Sequence, residues 1–283
     1  MDEKDRINQV SIMKKVCVVT GGGSGIGLAA ACQMPKDMII VVSGRTMSKL
    51  DAAVQQLSAG GHEAHPCACD TSVRESVRAL ATFAKECGQV TTVINAAGLS
   101  PSMAKPEQMI RVNALGTMYV NQEFAAVMYD CGVIIDISSN SAHLLPSVLA
   151  SKRLYRLAEK DEERFVCRLT RISNLLPKPF LRAGLAYAFS KNFAVWYAQK
   201  SAFELGERHI RVVSLCPGLI DTGMGQLEAS ESAYMLKTAA EHRMGTPDEL
   251  GFAIASIADP RNGYLTGVDI LCDGGSINGR KYQ

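Results

Sequence analysis

The chain has no CxxC pair, no run of about 18 apolar residues and almost no surplus charge, and each absence removes a class of protein. Nine cysteines, at positions 17, 32, 67, 69, 87, 131, 167, 216 and 272, are odd in number and scattered through apolar segments, which fits reduced thiols and not a disulfide framework. His62, His65, Cys67 and Cys69 form one dense group of metal-ligating types. The last three alternate as strand side chains do, and no second group of that density follows, so no metal is expected. Thirty basic against 28 acidic residues leave +2, too little for bulk attraction to nucleic acid, and there is no basic stripe or membrane anchor. The opening MDEKDRINQVSIMKK carries charge where a secretory signal needs an apolar stretch, so a cytoplasmic location is expected.

What is present is a 283-residue chain, 47% hydrophobic and 20% charged, the balance of a globular protein with one large core. Residues 1–13 read as an N-terminal extension. From residue 14, short β-branched runs alternate with helix-period stretches, the pattern of βαβ units and a parallel sheet. Strands are expected at Val16 to Thr20, Met38 to Ser43, Glu63 to Cys69, Val90 to Asn95, Val133 to Ser138, Arg211 to Cys216 and Val268 to Cys272. These seven make a single doubly wound α/β (Rossmann) domain over 14–283. Between the fifth and sixth strands, residues from about 141 to 185 exceed what a crossover needs. Leu154, Leu157, Ala158, Phe165, Leu169, Ile172 and Leu176 recur there at mostly three- and four-residue spacings among charged residues, which predicts one or two amphipathic helices as an insert.

After the first strand comes Thr20-Gly21-Gly22-Gly23-Ser24-Gly25-Ile26-Gly27, followed by a helix-like LAAACQM. The spacing is GxxxGxG on Gly21, Gly25 and Gly27, and a literal GxGxxG is missing. Glycines at a strand-to-helix turn let a phosphate approach backbone amides at a helix N-terminus, whose dipole favours negative charge. Arg45, at the end of the second strand with no carboxylate just before it, suits the extra phosphate of NADP more than the ribose of NAD.

Ligands of such sheets bind outside the carboxyl ends of the strands. Asn95-Ala96-Ala97-Gly98, Ser138-Ser139 and Pro217-Gly218 with Thr222 fall at such ends, and Tyr187 and Lys191 lie four apart on one helical face. A tyrosine of pKa near 10 is about 0.1% ionised at pH 7, and lowering that pKa by about 3 units takes about 4 kcal/mol. A neighbouring ammonium has the right sign to do so, which makes Tyr187 a candidate general acid or base.

TGGGSGIG, Asp70 after the third strand, NAAG, Asn113 in RVNALG, the DISS serine, YAFSK, CPGLIDT and LTGVDILCDGG occur in an order that resembles the short-chain dehydrogenase/reductase family from about Lys14 to Gly275. The resemblance implies Tyr187 as acid/base, Lys191 holding the nicotinamide ribose and lowering the tyrosine pKa, Ser139 (with Ser138 the runner-up) orienting the substrate oxygen, and Asn113 maintaining a proton relay. It also implies a cofactor site of Gly21, Ser24, Gly25, Ile26, Gly27, Arg45, Asp70, Thr71, Asn95, Ala96, Gly98, Pro217, Gly218, Ile220 and Thr222, together with Tyr187 and Lys191.

Forty-eight positions separate Ser139 from Tyr187, far more than the family's ordinary spacing, and this insert is similar to that of the bacterial 3α-hydroxysteroid dehydrogenase/carbonyl reductase subgroup. That likeness implies a homodimer, with a tetramer as the alternative. With the NADP(H) preference read from Arg45, and NAD(H) the alternative, the expected reaction is hydride transfer to or from a secondary alcohol or ketone, and the likeness implies a hydroxysteroid as its substrate. A general carbonyl or quinone reductase is the rival enzyme, and a cofactor-sensing or scaffold protein the rival of another class.

Overall fold

The structure, a computed structural model, describes residues 13–228 and 233–282. The extension assigned to residues 1–13 lies, apart from Met13, outside the described residues. Seven strands, β1 (Lys15–Thr20), β2 (Ile39–Gly44), β3 (Glu63–Ala68), β4 (Gln89–Asn95), β5 (Val133–Ile137), β6 (Arg211–Pro217) and β7 (Asp269–Cys272), form one parallel sheet in the order β3-β2-β1-β4-β5-β6-β7. Each agrees with its expected strand to within one residue at either end. The order reverses between β1 and β4, and that reversal opens a crevice at the carboxyl edge of the sheet.

Burial of β1 on both faces accounts for its unbroken apolar sequence. Val16 and Val18 belong to a core with Leu80, Phe124 and Phe189, while Cys17 and Val19 point the other way into a core with Ala30, Leu250 and Ile254. The first core is closed by α3 (Arg74–Cys87), α5 (Gly116–Ala125) and α8 (Pro179–Glu204). The second is closed by α1 (Gly25–Gln33), α2 (Met47–Ala59) and α11 (Pro247–Ala258). Between α3 and α5 lies the short α4 (Pro106–Ile110). Between α8 and α11 lie α9 (Gly223–Glu228) and α10 (Ala233–Thr238).

Helix α8 begins at Pro179, inside the stretch the sequence assigned to the insert. Proline is pre-set for the first helical position, where its missing N–H has no partner to lose. The stretch before it holds a 3₁₀ turn (Asn140–Leu144), α6 (Lys152–Tyr155) and α7 (Glu162–Asn174). The side chain of Asp161 caps α7 by accepting from Arg164 N, and Glu162 and Glu163 place negative charge at its positive end.

The inner face of α7 buries Phe165, Val166 and Leu169, while Arg164, Arg168 and Arg171 stay in solvent. Phe165 lies 5.1 Å, ring centre to ring centre, from Phe193 of α8, which stacks on Tyr197 at 5.5 Å and meets the edge of Tyr155 at 5.4 Å. Ion pairs rim this contact. Arg74 bridges Glu123 and Glu162 at 3.1 and 3.3 Å, and Arg111 pairs with Glu163 at 2.7 Å. Glu163 is three-quarters exposed, so the aromatic cluster, and not that pair, holds α7 down.

All nine cysteines are unpaired, with Cys131 and Cys167 exposed. Among the described residues no helix is long and apolar enough to cross a membrane.

Phe165→Ala is expected to cost about 3 kcal/mol or more, read as a lower urea midpoint at unchanged m-value. An unmoved midpoint would mean that α7 opens independently of the domain.

Candidate functional site

A cleft of about 620 Å³ lies over the carboxyl ends of β1, β4, β5 and β6. Its floor is the glycine turn. Gly21 takes φ +66°, and a Cβ there would sit 2.8 Å from the backbone of Ala96 and Ala97; a Cβ on Gly27 would sit 2.5 Å from Gly21 O. Only glycine lets the exit of β1 pass this close to the exit of β4 while α1 starts beneath it. Gly21, Ser24, Gly25, Ile26 and Gly27 all border the cleft. The turn fits a dinucleotide phosphate on steric grounds, since these close backbone contacts, which a Cβ would prevent, bring the N-terminus of α1 to the cleft.

Three further loops complete the walls: Ala96 and Gly98 after β4, Ser138 and Ser139 after β5, and Pro217, Gly218, Ile220 and Thr222 after β6. From α8, Tyr187 and Lys191 enter together. Lys191 Nζ stands 5.8 Å from the Tyr187 ring centre and donates to the Ile137 carbonyl at 2.9 Å. The ring of Tyr187 packs on Leu99, Met109, Val112 and Ala183, which leaves it half-buried at the mouth of the cleft. The two serines differ. Ser138 Oγ donates to the Lys191 carbonyl at 2.8 Å, which commits its proton to α8, whereas Ser139 Oγ accepts from Ser141 N at 3.2 Å. Of the two hydroxyls, Ser139 keeps its proton for a ligand.

Five of the residues singled out in the sequence do not border the cleft. Arg45 is exposed at the end of β2. Asp70 turns on itself, its Oδ1 accepting from Ser72 N and Ser72 Oγ, and Thr71 is buried beside Gly116. Asn95, expected along the cofactor, is turned inward: its Oδ1 accepts from Thr20 Oγ1 at 2.8 Å and its Nδ2 donates to Asp136 Oδ1 at 2.8 Å.

Asn113 sits in a π-helical turn, Arg111–Leu115, between α4 and α5. Its Oδ1 accepts from Leu99 N at 2.8 Å, and its Nδ2 donates to Leu99 O at 2.9 Å and Ser190 Oγ at 3.2 Å. A Cβ on Gly98 would come 3.3 Å from Asn113 Oδ1 and 3.4 Å from Lys191 Nζ, so Asn113 adjoins the lysine just behind the cleft wall.

Lys49, in the first turn of α2, borders the cleft and was not singled out. The signal was there to find, because Lys49 follows Arg45 by four residues in a helix that starts at the strand's end. Asp136 was missed too. It is wholly buried under the site, held by Asn95 and by Asn121 Nδ2 at 2.9 Å. Burial pushes its carboxyl up to about 6, partly offset by the two amide donors and the Lys191 charge.

A carboxyl raised from 3.8 favours folding below that value, and the advantage is lost as pH climbs through about 6. Asp136→Asn can be accommodated because Asn121 Oδ1 has no partner and an amide flip would offer it as acceptor. The variant is therefore expected to gain stability relative to the parent between pH 4 and 6.5. A difference in unfolding midpoint that stays flat over that range would show that Asp136 does not titrate there.

The family profile "short chain dehydrogenase" matches residues 15–151 and "Enoyl-(Acyl carrier protein) reductase" matches 176–276. A peroxisomal 2,4-dienoyl-CoA reductase of Mus musculus is 28% identical over 273 residues, covering 94% of this chain and 84% of its own. A 7alpha-hydroxysteroid dehydrogenase of Escherichia coli is 25% identical over 275 residues, covering 93% and 94%. The fold is shared with a short chain dehydrogenase from Burkholderia cenocepacia solved in complex with NADP, at TM-score 0.74 and 22% identity over 94% of this chain and 99% of that one. With its parallel seven-stranded sheet, its glycine turn and these matches, the chain belongs to the short-chain dehydrogenase/reductase family of oxidoreductases, which act on CH–OH or carbonyl groups of small molecules.

Proposed function

We propose that the protein moves hydride between NADP(H) and a secondary alcohol or ketone, with a hydroxysteroid as the substrate class. The observation that carries this reading is the Tyr187–Lys191 pair opening into the cleft above the glycine turn. The dinucleotide, when bound, supplies or accepts the hydride. In reduction, Tyr187 gives its phenolic proton to the developing alkoxide, and in oxidation it takes the proton back. The Lys191 ammonium stabilises the phenolate and holds the nicotinamide ribose. Ser139 donates to the substrate oxygen, and Asn113, fixed through Leu99 and Ser190, maintains the route by which the proton is replaced.

Preference for NADP(H) rests on Arg45 and Lys49. Two cations four residues apart at the end of β2 suit a ribose phosphate, and a guanidinium can fork two donors onto it. A bulky apolar substrate accords with Leu99, Met103, Leu219, Met224 and Leu227 at the open end of the cleft. The residues between the two matched profiles, 152–175, carry the whole of α6 and α7. We read them as an insert that covers the outer side of α4 and α8, and a dimer is the assembly that accords with such a cover. A cytoplasmic setting accords with nine unpaired thiols.

Purified protein mixed with a 3-keto steroid is expected to consume NADPH faster than NADH, followed by absorbance. Turnover of small aldehydes and ketones alone would move the substrate to general carbonyl compounds. Tyr187→Phe is expected to lower turnover about 10²- to 10⁴-fold. Full activity in that variant would remove Tyr187 from proton transfer.

Arg45→Ala and Lys49→Ala are each expected to raise the KM for NADPH about 10- to 100-fold while leaving that for NADH nearly unchanged. Equal losses on both cofactors would sink the phosphate assignment.

A further inference from the structure

Beside the serine turn, on the side away from the glycine loop, three side chains that the reaction does not use converge. His143 comes from the 3₁₀ turn after β5, Cys216 from β6 and Asp269 from the first position of β7. Their ligand atoms all lie within 4.8 Å of one another. His143 Nε2 is 2.7 Å from Asp269 Oδ2, and Cys216 Sγ is 3.2 Å from Asp269 Oδ1, which also accepts from Ser214 Oγ at 2.6 Å. The group from sequence, His62, His65, Cys67 and Cys69, does not converge in this way: His62 meets Lys36 and His65 pairs with Glu63.

In a tetrahedral zinc site, bonds of about 2.0–2.3 Å put neighbouring ligand atoms roughly 3.3–3.7 Å apart, so the three groups need only small adjustments to close on one ion. We propose that His143, Cys216 and Asp269 bind a single divalent ion of the Zn²⁺ class, with water as fourth ligand. Charge supports this. A divalent ion with one thiolate and one carboxylate is neutral overall, which suits a site whose thiol is buried and whose carboxylate side chain is 9% exposed.

Entry is from the His143 side, where one third of that side chain meets solvent. Burial, reinforced by Asp269, pushes the Cys216 thiol up, so binding releases the thiol proton, together with the second imidazole proton when His143 is charged. Besides these groups, the charge facing His143 is the Asp273 carboxylate, which adds to the attraction for a cation. Cys216 also touches the Ser138 side chain and the Ser139 backbone, so an occupied site ties the serine turn to β6 and β7.

The test is a titration of metal-free full-length protein with Co²⁺, without nucleotide or substrate, followed by displacement with Zn²⁺. One equivalent is expected to give a thiolate-to-cobalt charge-transfer band and intense visible bands of tetrahedral cobalt, both abolished by excess Zn²⁺. His143→Ala changes a partly exposed residue and Asp269→Asn keeps its shape, and each is expected to weaken Zn²⁺ binding at least about tenfold. Cys131→Ser/Cys167→Ser, which removes the two exposed thiols, is expected to keep the bands. Their absence in the parent, an unchanged affinity for Zn²⁺ in both ligand variants, or loss of the bands with the exposed thiols would overturn the site. Because the readout needs no turnover, its failure leaves the assignment of Tyr187 and NADP(H) standing, and the reverse holds as well.

Discussion

Asn95 cross-links three strands at the place where the two halves of the sheet part. At the β1–β4 reversal the crossover helices leave in opposite directions, and there a side-chain tie adds to the backbone ladder that joins the two strands. The tie is a buried chain of hydrogen bonds from Thr20 through Asn95 to Asp136 and on to Asn121, crossing β1, β4, β5 and α5. Thr20 Oγ1 also accepts from Ala97 N, which fixes the loop that Gly21 presses against. Polar groups placed this deep are stabilising only when satisfied, and this network comes close, with one amide oxygen left over at Asn121. The floor of the crevice is therefore cross-linked by side chains as well as by the backbone ladder.

What could be read in the sequence was what local chemistry determines. β1 and β5 are legible because strands buried on both faces need continuous β-branched residues. The glycine turn is legible because no other residue type tolerates the contacts at Gly21 and Gly27. Tyr187 and Lys191 come with the helix, being one turn apart.

What could not be read depends on distant partners. Asn95 was expected to face the cofactor, and only the tertiary positions of Thr20 and Asp136 turn it inward. Ser138 spends its proton on a carbonyl 53 residues away, a commitment that nothing local to the serine pair displays. Helix α8 starts earlier than the insert's apolar spacing implied, because α7 ends on the exposed Leu175 and Pro179 begins a new helix at once.

The segment between β5 and α8 is more than a cover. Tyr155 donates its phenol to Asn192 at 2.8 Å, and Asn192 in turn donates to the Ala142 carbonyl at 3.0 Å, in the turn that follows Ser139. Packing of α6 and α7 thus reaches the serine turn through one α8 side chain that is adjacent to Lys191 in sequence. An element added on the outside of the fold is in this way joined to the residues inside it.

The distribution of thiols has a practical side. Burial pushes the pKa of seven of the nine cysteines up, so that little thiolate forms and they are slow nucleophiles, while Cys131 and Cys167 lie open at the surface. One of these two precedes β5 and the other rides on α7. A pair of fluorophores attached by maleimide chemistry would therefore settle on opposite sides of one joint, a built-in ruler for any opening of the helical segment away from the sheet.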